Sequence, residues 1–371
     1  MSVKGSSHAK VGSRLKMYFT KMSGFEDAAN PRPPTAIRHA DAPQLRQEPV
    51  PSAQGPPAPQ EKGSLVGILK FVPGSAIPYA QLVRLHKPIG FAIVYLPYVI
   101  GVLYASAVAP APVPLSVVLN RAWIFCIGST LLRSAGCTWD DIVDVDLDRR
   151  VERCATRPMV RGAVSRANAL CFLAVLTILG LGPLALLPWT CTIDAGVIVT
   201  MSTIYPFMKR FNNYAQVILG LTIGFAIIMT MHALEVDPLS KDCRVSTVCL
   251  WFAITIMMML YDVVYAAQDT IDDVAAGVKG MAVRFRSSLK TLIFAMVSSI
   301  IGLLAMCGMC SRLGVGYYIV TVGGTGGSLV TMVTAMDLAV PQSCHKYCGG
   351  AYMLTCISMI IGFGAEYFQR V

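Results

Sequence analysis

Charged side chains are scarce in this chain. Asp, Glu, Lys and Arg make up only 14% of its 371 residues, whereas 54% of the residues are hydrophobic. Soluble domains typically carry about 25% charged residues. A soluble core of this size does not need so many apolar side chains. The composition therefore excludes an ordinary soluble domain and predicts a membrane protein that crosses the bilayer several times.

Acidic residues are fewer than basic ones, with 21 Asp and Glu against 31 Lys and Arg, which gives a net charge of +10. In a soluble protein this excess would suggest nucleic-acid binding. Here the basic residues cluster in short segments between apolar runs, so membrane topology explains the excess. We therefore expect no nucleic-acid partner and a lipid bilayer as the surroundings.

The cysteines lack the spacing of a disulfide framework or a zinc site. Most of the twelve lie within apolar runs. Cys307 and Cys310 form a CxxC, but no second pair and no histidine lie near them in the sequence. We interpret them as small residues of a helix.

Residues 1–62 differ in composition from the rest of the chain. They contain nine prolines among Ala, Gln and Ser, and this mixture cannot bury a core. We predict a disordered tail at 1–62 and a membrane domain at 63–371. The first 21 residues carry five basic residues and no acidic one. This is compatible with a mitochondrial transit peptide, although no clear amphipathic pattern supports that interpretation.

Nine apolar runs near the length of about 20 residues that crosses a bilayer follow the tail. They predict an all-α, polytopic membrane fold. The predicted spans are 89–108, 113–135, 167–187, 190–208, 215–234, 245–267, 289–310, 315–336 and 347–368.

Basic residues mark one side of the predicted bundle. The segments after spans two, four and six carry Arg149, Arg150, Arg153, Arg157, Arg161, Arg166, Lys209, Arg210, Lys279, Arg284, Arg286 and Lys290. The opposite side carries Lys241, Arg244, Arg312 and Arg370. The positive-inside rule therefore predicts a cytosolic N-terminus in a membrane of the endoplasmic-reticulum type. The mitochondrial inner membrane is the alternative.

A first acidic motif follows span two and comprises Asp140, Asp141, Asp144, Asp146 and Asp148. Each residue of a helix advances about 100°, so Asp141, Asp144 and Asp148 fall within about 60° of one another. Asp140 lies beside Asp144, whereas Asp146 points away. Carboxylates on one face repel one another and are unfavourable at a membrane boundary unless something neutralises them. The hard oxygen ligands suit magnesium.

A second acidic motif ends span six and comprises Asp262, Tyr265, Asp269, Asp272 and Asp273. On a helix, Asp262, Asp269 and Asp273 fall within about 40° of one another. Gly277 offers a helix stop. Either motif alone has a simpler explanation as a solvated helix end. Two such rows on the same membrane side predict a site in which metal ions bridge a diphosphate.

Basic residues near both motifs are candidates for binding phosphate. Arg153, Arg157 and Arg161 follow the first motif, and Lys279 follows the second. Lys209 and Arg210 end span four, and Arg84 and Lys87 precede span one. Taken singly, each is by default a topology determinant near lipid headgroups.

These motifs resemble those of the UbiA superfamily of intramembrane aromatic prenyltransferases, over about residues 80–370. The first is similar to NDxxDxxxD, and the second, Tyr261 to Lys279, is similar to YDxxYAxxDxxDDxxxGxK. The YPxxKR segment at 205–210, Gln216 after it, and the segment at 84–90, similar to RxDKPxG, also fit. The resemblance implies nine helices around a lipid-open central cavity.

Two departures from the family's motifs matter. Asp140 stands in place of Asn, which keeps an oxygen ligand but adds charge, and His86 stands in place of Asp. His86, together with Tyr95 to Tyr98, where members of the ubiquinone pathway tend to carry Trp, resembles the fungal meroterpenoid branch. Members of that branch attach a farnesyl group to an aromatic polyketide.

The reaction that we infer is an electrophilic aromatic substitution dependent on Mg²⁺. The predicted catalytic and metal-binding residues are Asp141, Asp144, Asp148, Asp269 and Asp273. The predicted substrate-binding residues are Asp140, Arg153, Arg157, Tyr205, Lys209, Arg210, Asp262, Tyr265, Lys279 and Arg84. Tyr205, Phe207 and Tyr265 are candidates for shielding an allylic cation through their ring faces. The predicted partners are a prenyl diphosphate donor and an aromatic acceptor.

Other functions fit the sequence less well. A transporter would place charges near mid-span and show internal repeats, neither of which is evident. A CDP-alcohol phosphotransferase would need DxxDGxxAR, but Val145 follows Asp144. Two alternatives within the superfamily stay open. They are a mitochondrial 4-hydroxybenzoate polyprenyltransferase of ubiquinone synthesis and a UbiA-like membrane terpene cyclase.

Overall fold

A computed structural model describes residues 67–150, 154–338 and 340–371. The predicted tail at 1–62 and Arg153 lie outside the described residues. Within the described residues every regular element is helical, as the apolar runs predict. The all-α prediction is therefore confirmed.

Nine of the described helices are long and apolar enough to cross a membrane, and their number confirms the prediction. They are α1 (Pro88–Val108), α2 (Leu115–Val143), α3 (Arg166–Leu184), α4 (Thr190–Phe211), α5 (Ala215–Ala233), α6 (Arg244–Asp269), α7 (Leu289–Cys310), α8 (Val315–Ala335) and α9 (Lys346–Phe368). The chain is an integral, multi-pass membrane protein.

Local sequence signals explain several helix boundaries. Pro88 occupies the first turn of α1, where its missing N–H costs nothing. Ser165 caps α3 by accepting a hydrogen bond from the backbone N–H of Asn168. Gly277 ends the short helix Thr270–Ala276 in the left-handed conformation, with φ of 73°, which confirms the predicted helix stop.

Three of the long helices are irregular. α5 consists of two helices, Ala215–Gly224 and Ala226–Ala233, joined at Phe225. α8 contains a π-helical segment at Tyr318–Gly323. α6 ends in a 3₁₀ turn at Ala267–Asp269. Such tight or wide turns commonly occur where tertiary contacts override regular helix geometry.

Helices adjacent in sequence pack side by side, with the exception of α3 and α4, and α9 returns to pack against α1. α1 contacts α2, α5 and α9, while α6 packs between α5 and α7. Gly220 allows α5 to approach α6 closely, because an added Cβ would lie 2.6 Å from the backbone oxygen of Thr255. Small residues serve this purpose widely in membrane bundles. α1 and α6 are consequently among the most buried helices, with 56% and 61% of their apolar windows inside the bundle.

Helix α3 lies on the periphery of the bundle and packs mainly on α2. Only 11% of its apolar window is buried. Ile178, Leu181 and other large apolar side chains are exposed on its surface. Lipid is as apolar as these side chains, so their exposure is expected in a bilayer.

The carboxyl ends of α2, α4 and α6 meet at one end of the bundle. The backbone N–H of Lys279, just after α6, donates to the backbone oxygen of Lys209 at the end of α4, at 2.9 Å. The Lys209 ammonium lies 3.2 Å from Asp144, just after α2. Both acidic motifs therefore lie at the same end. α2 continues to Val143, past the predicted end at residue 135, so Asp140 and Asp141 lie within its last turn.

Candidate active site

The first acidic motif bends at its centre. α2 ends at Val143, and Asp144, with φ of −90° and ψ of 4°, joins it to a short helix at Val145–Asp148. The prediction of one continuous helix through the motif is thus wrong. Asp141, Asp144 and Asp148 are nevertheless all buried, at 2%, 5% and 8% exposure. The side chain of Asp146 is 56% exposed and points away, as its helical position predicts.

Two arginines from different segments neutralise the inner acids of this motif. Arg84, which precedes α1, places Nη2 at 2.9 Å from Asp141 Oδ1. Arg157 donates to the same oxygen at 3.3 Å and also to Asp148 Oδ2. Burial raises the pKa of the Asp148 carboxyl, and the charge of Arg157 opposes that rise. Buried carboxylates need partners of this kind, because an unpaired charge is costly in the interior.

Asp144 carries one paired and one unsatisfied oxygen. Oδ2 accepts a hydrogen bond from Lys209 Nζ at 3.2 Å. Oδ1 is buried without a hydrogen-bond partner, and its ion-pair neighbour, Arg210, lies 3.9 Å away. Unsatisfied buried polar atoms in native structures call for an explanation such as an ion.

Arg210 faces outward from the buried acids. Its two terminal nitrogens donate to the two oxygens of Asp146, both at 2.9 Å, and one of them also donates to the Val143 backbone oxygen at 2.7 Å. The hydrogen bonds with Arg210 lower the pKa of Asp146 to about 2. Arg210 thus holds the end of α2, and its contact with phosphate stays a prediction.

The second acidic motif runs through α6 and beyond the 3₁₀ turn. The turn at Ala267–Asp269 interrupts the α-helical register that the sequence predicts for Asp262, Asp269 and Asp273. All three acids are half-buried. Asp262 interacts with the side chains of Lys209 and Gln216. Gln216 also accepts a hydrogen bond from the backbone N–H of Met281 at 3.2 Å, so it links α5 to the segment after the motif.

Lys209 lies between the two motifs. Its charge interacts with Asp140 and Asp144 of the first motif and with Asp262 of the second. The ammonium also lies 4.9 Å from the centre of the Tyr205 ring. One half-buried cation is therefore shared by both rows of acids.

The aromatic candidates differ in placement. The buried Tyr205 lies beside Lys209, and Tyr265 stacks on Tyr261 with the ring centres 6.1 Å apart. Phe207 is 40% exposed and contacts Trp139, an orientation that does not fit a role in shielding a cation.

Two predicted phosphate ligands are placed beside other partners. Lys279 directs its ammonium to the Phe211 backbone oxygen at 3.5 Å. Arg161 donates to Gln81 at 2.6 Å.

Arg133 is a residue that the sequence motifs do not flag, although a lone arginine within an apolar run is itself a signal of function. It contacts the backbone on both sides of Arg84.

The donor set fits a magnesium ion. The buried, unsatisfied Oδ1 of Asp144 is a hard oxygen donor of the kind that this ion prefers. Within the described ranges no three His, Cys, Asp or Glu side chains converge on one point. Magnesium usually binds through one or two carboxylates and completes its shell with water and substrate phosphates. Pairs of carboxylates at a phosphate-binding site therefore suffice.

An apolar cavity of about 370 Å³ lies between α2, α3 and α4. Leu132, Gly136 and Trp139 of α2 contribute to its lining, and none of the aspartates does. Asp141 leaves α2 on the face opposite Leu132. The cavity is thus separate from the acidic site.

In the part of the chain that the structure describes, nine long apolar helices with two acidic motifs and several cations at one end define a multi-pass membrane protein. The UbiA prenyltransferase family model matches residues 94–356. The chain belongs to this family, and it is a prenyltransferase.

Curated fungal relatives cover most of the chain. It is 42% identical over 304 residues to the prenyltransferase ascA of Acremonium egyptiacum, covering 82% of this chain and 89% of that protein. It is 38% identical over 304 residues to the DMOA farnesyltransferase nvfB of Aspergillus novofumigatus, covering 82% and 95%. A solved UbiA homologue from Archaeoglobus fulgidus, bound to DMAPP and Mg²⁺, shares the fold, with a TM-score of 0.58, 15% identity and coverage of 77% and 99%.

Proposed function

We propose that this prenyltransferase transfers a farnesyl group from an allylic diphosphate to a ring carbon of a phenolic or polyketide acceptor, in meroterpenoid biosynthesis. The observation that carries the proposal is the meeting of two acidic motifs at Lys209. Relatives named as a prenyltransferase and a DMOA farnesyltransferase support the donor and the pathway class. The solved homologue with DMAPP and Mg²⁺ supports a metal-bound diphosphate.

Carboxylates of both motifs would hold the metal. Asp141, Asp144 and Asp148 would contribute from the first motif, and Asp269 and Asp273 from the second. Bound magnesium supplies Lewis-acid stabilisation of the charge that grows on the departing diphosphate. The chain itself fixes these donors at the ends of α2 and α6, so little reorganisation is needed during the reaction.

Protein cations would bind the rest of the diphosphate. Arg84, Arg157 and Lys209 already lie at hydrogen-bonding distance from the acids. A metal-bound diphosphate would bring negative phosphate oxygens together with positive metal ions. Each protein cation could then pair with a phosphate oxygen in place of its carboxylate, and the carboxylate could pair with a metal ion. We also assign Asp140, Arg153, Arg210 and Lys279 to substrate binding.

The reaction breaks the allylic C–O bond, and its electron pair leaves with the diphosphate. A ring carbon of the acceptor supplies the electron pair for the new C–C bond, and the ring then loses the proton from that carbon. Tyr205 and Tyr265 are the ring faces that we assign to shielding the allylic cation. Apolar helices around the site exclude water, which would quench the cation.

The same proposal includes a location. We assign the acidic end and the N-terminus to the cytosolic face of an endoplasmic-reticulum-type membrane, because the basic segments lie at that end. A protease-protection assay on microsomes with an N-terminal tag tests the orientation. Protection of the tag in sealed microsomes would contradict it.

A donor and acceptor panel tests the reaction. Microsomes carrying the chain are incubated with geranyl, farnesyl and longer diphosphates and with phenolic acids, and the products are identified by mass. We expect a farnesylated aromatic product, loss of turnover with EDTA and recovery with added Mg²⁺. Activity only with long donors and 4-hydroxybenzoate would favour the ubiquinone-pathway alternative. A cyclised hydrocarbon formed without an acceptor would favour the cyclase.

A further inference from the structure

The segment that carries Arg84 has an unusual backbone. It connects the short helix Ile77–Leu82 to α1. Arg84 itself adopts φ of 55°, in the left-handed region that non-glycine residues rarely occupy. Such a conformation persists only where the surroundings hold it in place, and it is common at functional sites.

Arg133 of α2 holds this segment on both sides of Arg84. Its Nη1 donates to the Val83 backbone oxygen at 2.9 Å, and its Nη2 donates to the Lys87 backbone oxygen at 3.2 Å. A planar guanidinium can donate to two carbonyls at once in a fixed geometry, which an ammonium cannot reproduce. α2 also carries Asp141, so the helix that supplies the acid also fixes the segment whose Arg84 binds it.

Gly90 leaves space for the Arg133 guanidinium. A Cβ at this position would lie 2.4 Å from Nη2 and 2.8 Å from Nε of Arg133. The near end of α1 and the guanidinium are therefore in direct contact. A side chain at residue 90 therefore requires the Arg133 guanidinium to shift.

The arrangement gathers positive charge. Burial and the neighbouring charges of Lys87, Arg84 and Arg133 lower the pKa of His86. Like charges this close repel one another, so a metal-bound diphosphate is the kind of ligand that the segment favours.

We propose that Arg133 is a positioning residue that holds the segment at 83–87 so that Arg84 reaches Asp141 and the donor diphosphate. This inference rests on the proposed function, because it assigns Arg84 to diphosphate binding. Arg133 acts through Arg84 and does not itself need to touch the substrate.

Variants of Arg133 test the proposal through affinity. Arg133→Lys and Arg133→Ala should raise KM for the prenyl diphosphate about tenfold or more, with a smaller change in kcat, as loss of a supporting contact does. The matched control is Arg121→Ala, since Arg121 of the same helix donates to the Leu186 backbone oxygen at 3.1 Å at the other end of the bundle. It should leave KM unchanged. An unchanged KM in both Arg133 variants would overturn the proposal.

A double-mutant cycle tests whether Arg133 acts through Arg84. Arg84→Ala combined with Arg133→Ala should raise KM no more than Arg84→Ala alone, because the two residues work in series. Gly90→Ala should mimic Arg133→Ala, and the two together should not add. Additive effects would overturn the proposal.

Binding of Mg²⁺ and inorganic diphosphate, followed by thermal shift in detergent, separates this inference from the proposed function. Weaker binding in the Arg133 variants supports the positioning role even if the wild-type chain proves to use another donor or acceptor. The same melting curves show whether each variant is folded, and Arg133→Lys retains the charge if Arg133→Ala does not fold. Wild-type affinity in a folded Arg133→Lys variant would contradict the role.

Discussion

The two acidic motifs differ in how the protein neutralises them. In the first motif, three carboxylates are buried to below 9% exposure and receive cations from three separate segments. In the second, Asp262, Asp269 and Asp273 are half-buried, and the helix that carries them changes its geometry at a 3₁₀ turn. The first motif therefore contributes to holding the segments together, and from burial alone we expect a smaller structural contribution from the second motif.

Because of this difference, we expect substitutions in the two motifs to differ in how much stability they cost for a given loss of activity. Breaking a buried ion pair leaves the partner charge uncompensated, which costs about 3–5 kcal/mol. Changing a half-buried acid whose main role is to bind ligand costs activity with a smaller cost in stability. Substitutions matched across the two motifs therefore test the comparison directly.

The largest effect is expected for the metal-binding acids. Asp141→Ala and Asp269→Ala should each lower turnover by about a hundredfold or more, because each removes stabilisation of the departing charge. Asp141→Ala should lower the free energy of unfolding more than Asp269→Ala, by about 3 kcal/mol, because Asp141 is 2% exposed and its loss leaves Arg84 and Arg157 without a buried partner, whereas Asp269 is half-buried. Turnover in membranes and melting curves in detergent measure the two effects.

Asp237→Ala is a control for both substitutions, because Asp237 lies in the segment between α5 and α6, outside both motifs. It should keep turnover. Equal losses of stability for Asp141→Ala and Asp269→Ala would remove the distinction between the motifs. Full turnover in either variant would contradict the metal assignment.

An intermediate effect is expected for Arg157→Gln. Arg157 pairs with both Asp141 and Asp148, so its loss should lower stability by about 2–3 kcal/mol and turnover by about tenfold. Millimolar Mg²⁺ should stabilise this variant more than the wild type, because the ion neutralises acids that the arginine otherwise pairs. The readout is the shift in melting temperature with and without the ion.

Arg150→Gln is the matched control, because Arg150 is exposed on the same side of the bundle. It should melt like the wild type. If Mg²⁺ stabilised Arg157→Gln and the wild type equally, then Arg157 and the ion would not share the same carboxylates.

Much of this architecture follows from the sequence for physical reasons. A bilayer demands about 20 apolar residues per crossing, so each of the nine runs is unambiguous. The end of α2 is less clear, because Asp140 and Asp141 lower the local hydropathy while the helix continues to Val143. Asp141 pairs there with Arg84 and Arg157, and Asp140 interacts with the charges of Lys209 and Arg84.

The bends within the motifs depend on contacts that are distant in sequence. Arg210 binds the Val143 backbone oxygen from 67 positions away and helps to end α2 there. Helical periodicity predicts which acids share a face, but it has no information on such partners. For the same reason Arg133 shows only as an arginine in an apolar run, because its partners are backbone oxygens 46 and 50 positions away.

The smallest effect is expected for Asp146→Asn, which removes the exposed acid of the first motif. Arg210 lowers the pKa of Asp146 to about 2, so the ionised acid stabilises the fold at pH values above its ordinary pKa of 3.8. That stabilisation is lost as the pH falls from about 4 towards 2, where the folded form also takes up a proton. Because the side chain is 56% exposed, solvent limits the contribution to about 1 kcal/mol or less. Melting curves at pH 7, 4 and 3 should show a slightly lower melting temperature for Asp146→Asn than for the wild type, and the difference should shrink as the pH falls. Turnover of Asp146→Asn at pH 7 should stay within about threefold of the wild type. If Asp146→Asn lost as much stability as Asp141→Ala, then burial would not distinguish the structural acids of the first motif from its exposed one.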